Sequence, residues 1–361
     1  MTNQVSVPYL DWMVPPTCAG QRGHMKFDDS MTTVLIIGGQ GALGSIVADA
    51  MRAQGDLAVL IGGRRAQRRE DFRYLDLARP ETIAPALAGV DFAISTVADP
   101  QFELERVAVE TGARSINISS AVLPIGGHVS LRGRGLAIVH AGLAPLGLQA
   151  LIAKSMIAQH PEAARLEVAI CFSARGASGP QGREFAYQAL TRRPFEPSRE
   201  IEFSVPIGRR RCFSAAIPER DILHALIPEG EAEVFVGFAE RTIHLALAAM
   251  RSTGMIRMIP RAMFVGRAAA SAPAAATTEP MRQWVAVYDA SGRRLGATVT
   301  EGEGDYRTTA LVTRAFLDVL VERLKTRKPF GVHSAEKFFD LAEVTAHLGA
   351  EVRIRELAAT P

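Results

Sequence analysis

"TVLIIGGQGALGSIVADAM", residues 33–51, decides how the chain is to be read. Val34–Ile37 is a continuous apolar run ending in glycine, the pattern of a buried strand. The following "GSIVADAMRAQG" (44–55) is helical, with Ile46, Val47, Ala50 and Met51 on one face and Gly55 as a stop. Between them Gly39, Gly41 and Gly44 spell G-x-G-x-x-G. Gly39 permits a tight turn, Gly41 lets backbone approach a pyrophosphate, and Gly44 lets helix and strand pack closely, with the helix N-terminus facing the phosphate charge. Strand, glycine turn and helix in this order open a dinucleotide-binding unit. Gly39, Gln40, Gly41, Ala42, Leu43 and Gly44 are therefore candidate cofactor-binding residues.

The second strand, "LAVLIGG" (57–63), runs into "RRAQRRE" (64–70). NAD binders place Asp or Glu here to accept from the ribose 2′-hydroxyl. NADP carries a phosphate at that position, which a carboxylate repels and an arginine fork matches. Arg64 and Arg65 stand there with no acid before them, and NADP(H) is the expected cofactor. Arg68 and Arg69 read equally well as charges on a solvated helix start.

The rhythm continues to residue 150. Strands "FRYLDL" (72–77), "VDFAISTV" (90–97), "RSINISS" (114–120) and "GLAIVHAGLAP" (135–145) alternate with helices over 79–89 and 102–112. Strands separated by helices of this length form a parallel sheet with right-handed crossovers. Ligands bind beyond the carboxyl ends of such strands. Val97, Ala98, Asp99 and Pro100 should line the cofactor path, Asp76 should lie near the adenine, and Ser119 ends the fifth strand. After a helix at 148–160 the pattern changes to longer strands: "RLEVAICFSA", "REIEFSVPIGRRRCFSAA", "EAEVFVGFA" and "QWVAVYDASGRRLGATVTE", the last with a "DASG" hairpin turn. A mainly antiparallel sheet in an α+β domain is expected. "AAASAPAAATTEP" (268–280) reads as a loop, and 308–326 as a long amphipathic helix.

The 361 residues are 48% hydrophobic and 22% charged with a net charge of +3, which describes a globular protein and argues against a nucleic-acid partner. The three cysteines, Cys18, Cys171 and Cys212, have no metal-like spacing and fit a reducing cytoplasm. No apolar run approaches the ~18 residues needed to span a bilayer, so no membrane partner is expected. Residues 1–30 lack the features of a signal peptide. They read as a disordered or loosely docked extension, as an upstream start codon would add, with a functional arm over a partner subunit as the rival. No Tyr-x-x-x-Lys, G-x-S-x-G or H-E-x-x-H is present.

Taken in order, "GGQGALG", "GGRR", "LDLARPETIAPALAGVDFAISTVADP", "VAVETGARSINISS", "VHAGLAPLGLQALIAK", "GDYRTTA" and "GVHSAEKFFD" resemble the saccharopine dehydrogenase-like family of reductases. The likeness covers roughly residues 31–350 and is thin across 160–300. Two positions depart from the family pattern: the aspartate of its fifth strand falls on Asn117, and its proline–glycine pair becomes Pro145-Leu146-Gly147. The resemblance implies an α/β Rossmann domain (31–150), an α+β substrate and dimerisation domain (151–310), and C-terminal helices (311–361) returning to the first. It also implies an interdomain site and a homodimer formed through the second sheet.

Family members mostly act at carbon–nitrogen bonds. The resemblance thus implies an NADPH-dependent reductase of an imine or enamine of an amino-acid-like metabolite. Two alternatives stay open: an enoyl reductase acting on an activated C=C bond of a lipid or polyketide-like substrate, and a non-catalytic NADP-binding sensor or scaffold. Hydride transfer needs a proton donor beside the nicotinamide. Candidates are Tyr187, after the glycine-rich "GASGPQGREFA", and His140, which ends the sixth strand. Arg175 and Arg183 flank that loop and suit a substrate carboxylate. Asp305, Tyr306 and Arg307 form a further polar group, with Asp305 also read as the N-terminal helper of the next helix.

Overall fold

The first buried run, Val34–Ile37, is the centre of a parallel sheet. The computed structural model describes residues 31–357, apart from 66, 120–132, 144–145, 174–183, 185–186, 188–190, 192–197, 216, 218 and 263–278 and the side chains of 172 and 243. Arg175, Arg183 and the extension 1–30 lie outside the described residues. The first six strands are β1 (Thr32–Ile37), β2 (Leu57–Gly63), β3 (Phe72–Tyr74), β4 (Phe92–Ser95), β5 (Arg114–Asn117) and β6 (Leu136–Val139). The second group is β7 (Arg165–Phe172), β8 (Ser198–Glu202), β9 (Arg209–Ser214), β10 (Glu231–Phe238), β11 (Pro280–Tyr288) and β12 (Arg294–Glu303). Two late strands follow, β13 (Gly331–Ser334) and β14 (Arg353–Leu357).

The first sheet runs β13-β6-β5-β4-β1-β2-β3, with every pair parallel. Between β6 and β3 this is the doubly wound dinucleotide-binding order, whose crevice opens between β1 and β4 where the winding reverses. Helix Ala42–Arg52 buries Gly44, Val47, Ala48 and Met51. That i, i+3, i+4, i+7 stripe is what a helix laid on a sheet must present. The second sheet runs β14-β12-β11-β7-β10-β9-β8 and is antiparallel except for β7–β10. One apolar cluster reaches from Val34 and Ile36 through Leu148–Ala153 to Leu166, Val168 and Val285, so both sheets share a core.

Three features differ from the sequence reading. The stretch 199–216, read as one strand, is the hairpin β8–β9, with Ser198 opposite Phe213. Pro206 has no N–H to donate, and Gly208 has a φ of +65°, so the backbone reverses there. The C-terminal region supplies strands as well as helices: β13 extends the first sheet and β14 the second. The described residues of 64–70 form bends and a turn, and none of them is helical. The long helix Asp305–Thr326 returns to the first sheet and packs on helix Ala42–Arg52.

Candidate functional site

A cavity of about 530 Å³ opens at the carboxyl ends of β1, β2, β3 and β4. Its floor is the turn after β1, through Gly38, Gln40 and Gly41. Gly38 carries the left-handed backbone of that turn, with a φ of +81°. A Cβ on Gly38 would also lie 2.5 Å from Val97 Cγ1 on the opposite wall. The sequence reading gave this turn to Gly39, but Gly39 lies outside the cavity lining, with the position of a Cβ only 2.9 Å from Ile61 Cδ1. Gly44 is a packing glycine: a Cβ there would fall 2.1 Å from the Gly38 carbonyl oxygen. Ala42, Leu43 and Gly44 begin the helix behind the turn and do not line the cavity. That helix has Gly41 at its N-cap, no side-chain cap and no acid in its first turn, which suits an anion at its end.

Gly62, Gly63, Arg64 and Arg65 form the second side. Both arginines are exposed, and neither makes an ion pair among the described residues. Gln40 Nε2 donates to the Arg65 carbonyl at 3.2 Å, tying this side to the glycine turn. Arg69 is different. Its guanidinium donates twice to Asp71, at 2.9 and 2.8 Å, and Arg52 shares the same carboxylate at 3.2 Å.

Asp76, Leu77 and Ala78 continue the lining after β3. Asp76 Oδ1 accepts from the Ala78 N–H at 3.2 Å, so this carboxylate also shapes its own turn. The fourth side is Val97, Ala98, Asp99, Pro100 and Gln101. Asp99 is 2% exposed and accepts from the Leu104 N–H at 3.0 Å, where helix Glu103–Thr111 begins. The bland role of an N-terminal helper accounts for that bond.

Ser119 does not reach the cavity. Its N–H and hydroxyl both donate to Asn117 Oδ1, at 2.9 and 2.7 Å. The Asn117 amide nitrogen in turn donates to Glu105 Oε1 at 2.8 Å. Glu105 is fully buried, and desolvation pushes its carboxyl up to about 7 against the Asn117 hydrogen bond. Sequence reasoning passed over Glu105 as one polar residue of an amphipathic helix. A signal existed: Glu105 shares its helix face with Ala108 and Val109, both buried.

The proposed chemical residues are less gathered. His140 is buried at the end of β6 with a φ of +57°, and Tyr187 is half-buried with its carbonyl accepting from Thr191 Oγ1 at 2.8 Å. Neither lines the cavity. Asp305 is the first residue of the long helix, and its Oδ1 accepts from the Tyr306 N–H at 2.9 Å. Arg307 pairs with Glu351 at 2.6 Å. Among the described residues no group of three His, Cys, Asp or Glu could hold a metal ion, and no helix is long and apolar enough to cross a membrane.

No protein-family model matches the chain, and no curated protein matches its sequence. Solved structures do match. Apo histidine-tagged saccharopine dehydrogenase (L-Glu forming) from Saccharomyces cerevisiae aligns over 91% of this chain and 100% of its own, at 13% identity and a TM-score of 0.57. An engineered D-amino acid dehydrogenase bound to NADP+ aligns over 89% of this chain and 97% of its own, at 15% identity and a TM-score of 0.45. The C. glutamicum DAP dehydrogenase in complex with DAP aligns over 89% and 96%, at 16% identity and a TM-score of 0.44. With its parallel seven-stranded sheet, its mixed second sheet and the cleft after β1, the chain has the saccharopine dehydrogenase-like fold.

Proposed function

We propose that the chain is an NADPH-dependent reductase delivering hydride to an imine or enamine of an amino-acid-like metabolite. The observation that carries the reading is the cleft itself. A glycine turn without side chains meets an uncapped helix N-terminus, and two unpaired arginines stand where a ribose-binding acid would otherwise be. Two guanidinium groups free of carboxylates suit the 2′-phosphate of NADP(H).

In this reading NADPH supplies the hydride, and the chain binds, orients and protonates. Gln40 and Gly41 approach the pyrophosphate, Arg64 and Arg65 take the 2′-phosphate, and Asp76 lies toward the adenine. Val97 and Ala98 lie along the path to the nicotinamide half, which belongs beyond β4, β5 and β6. Tyr187 and His140 are the candidate proton donors, and Arg175 the partner of a substrate carboxylate. The resemblance also suggests a homodimer through the second sheet, and the cysteine usage a cytoplasmic setting. Cys171 and Cys212 are buried free thiols, and burial pushes the Cys171 thiol up to about 12 and raises that of Cys212, so both stay protonated.

The test is titration of the purified chain and of Arg64→Ala with NADPH and NADH. We expect wild type to prefer NADPH and the variant to lose about 10- to 100-fold in NADPH affinity, the worth of a charge-assisted hydrogen bond, with NADH binding unchanged. Equal binding of the two cofactors would overturn the choice of NADP(H). Failure to bind either would leave the sensor or scaffold alternative without its ligand as well.

A further inference from the structure

Glu105 is the buried acid that the dinucleotide reading leaves unused. Its Oε1 accepts from Asn117, while its Oε2 is buried with no hydrogen-bond partner. The Asn117 amide has only one way round. Its oxygen is held by two donors from Ser119, so its nitrogen must face Glu105. A carboxyl with one oxygen lacking a donor is held at lower cost as the neutral acid than as the carboxylate.

This pair brackets the fourth side of the cleft. On one side, in the first turn of the helix Glu103–Thr111 that carries Glu105, the Leu104 N–H donates to Asp99, a lining residue. On the other side β5, carrying Asn117, pairs with β4. There the Ile118 N–H donates to the Ser95 carbonyl at 3.0 Å, and Ser95 Oγ donates to the Val97 carbonyl at 3.1 Å. Within Val97–Gln101, Val97 and Asp99 are thus tied to the elements that Glu105 and Asn117 join.

We propose that Glu105 and Asn117 form a positioning pair for the Val97–Gln101 side of the cofactor cleft, with Glu105 acting in its protonated form, so that loss of its proton weakens the hold on the dinucleotide. The inference rests on the reading of the cleft as a dinucleotide site. By linkage, bound dinucleotide strengthens the hold of Glu105 on its proton by the same factor.

The charged surroundings are few. Asp99 raises the Glu105 carboxyl further. Arg106 is paired to Glu103 and Glu110. Among the other elements packed on this helix, β5 carries Arg114 with its guanidinium over the Phe92 ring, β6 leads into His140, β13 carries His333 with its Nε2 on the Phe330 carbonyl, and the turn Pro80–Thr82 carries Glu81. The Glu105→Gln variant separates the contribution of Glu105 from that of these neighbours.

The experiment is NADPH titration of wild type, Glu105→Gln, Asn117→Asp and the double variant at about pH 6 and pH 8, either side of the Glu105 transition. Wild-type affinity should fall about fivefold or more with rising pH, the low end of ordinary site-to-site coupling. Glu105→Gln keeps an acceptor for Asn117 and should remove that slope. Asn117→Asp sets a second carboxyl against Glu105, and with both ionised the pair repels, so the variant should bind weakly at pH 8. Adding Glu105→Gln lets a side-chain amide donate to the new carboxylate and should restore binding. A flat wild-type profile with tight NADPH binding would overturn the inference alone, as would a Glu105→Gln variant that keeps the wild-type slope, or no rescue in the double variant. Absence of NADPH binding at both pH values would instead defeat the dinucleotide reading, and this inference with it.

Discussion

Arg314 of the long C-terminal helix grips Asp56 at the foot of β2, across 258 residues of sequence. Its Nη1 donates to Asp56 Oδ1 at 3.0 Å, its Nη2 donates to Oδ2, and its Nε donates to Asp318 at 2.8 Å. The Arg314 side chain is 8% exposed while Asp56 is half exposed. Removing the arginine leaves Asp318 in a largely buried place without its partner and unlocks the C-terminal helix from the first sheet. We expect Arg314→Met to lower stability by about 2 kcal/mol, below the full cost of breaking a buried pair because Asp56 keeps contact with water. Denaturant melts of Arg314→Met and Asp56→Asn would check this, with the smaller loss expected for Asp56→Asn.

The glycine turn predicts a contrast. In Gly44→Ala a methyl meets the Gly38 carbonyl oxygen, and backbone on both sides must move. We expect a loss of about 3 kcal/mol or more, at the severe end for overpacking, together with loss of NADPH binding. Gly55→Ala meets no atom within 4 Å and has only its φ of +72° against it, so it should cost about 1 kcal/mol. Similar melting temperatures for the two variants would refute the close-packing account.

The arginine cluster predicts a second contrast. Arg69 is committed to Asp71, whereas Arg64 and Arg65 line the cleft unpaired. Arg69→Ala should leave the ratio of NADPH to NADH affinity unchanged. Arg65→Ala should lower that ratio about 10-fold or more. The NADPH affinity of Arg65→Ala should also fall less steeply with added salt than that of wild type. A change of preference in the Arg69 variant would assign the phosphate to the wrong guanidinium.

Glu105 makes stability depend on pH. Its carboxyl titrates near 4.5 unfolded and about 7 folded. The folded state therefore binds more protons between those values, and stability falls as pH rises through that window. The stabilisation is fully present below about 4.5 and is lost as the pH passes 7. The whole effect is of order 3 kcal/mol at most. Urea melts across this range should show the decline in wild type and a flatter profile in Glu105→Gln. Parallel profiles would show that Glu105 is ionised throughout.

Much of the first sheet was legible because each of its units closes locally. The run Val34–Ile37, the glycines after it and the helix stripe Gly44, Val47, Ala48 and Met51 lie within about one strand–helix unit, where periodicity and turn chemistry are informative. The unpaired charges of Arg64 and Arg65 were visible in the same way. Alternation in "VRIREL" at β14 was also readable, and was passed over.

What the sequence by itself determined is the opening β1–helix–β2 unit, the presence of a glycine turn within it and the change from alternating helix and strand to paired strands after residue 150. Tertiary structure alone decided that Gly331–Ser334 joins the first sheet beside β6, that Arg314 meets Asp56, and that Glu105 and Asn117 form one buried pair. The reason is physical. A strand of four residues or a single buried acid carries no periodic pattern of its own, and its state is set by neighbours that only the fold brings within hydrogen-bonding distance.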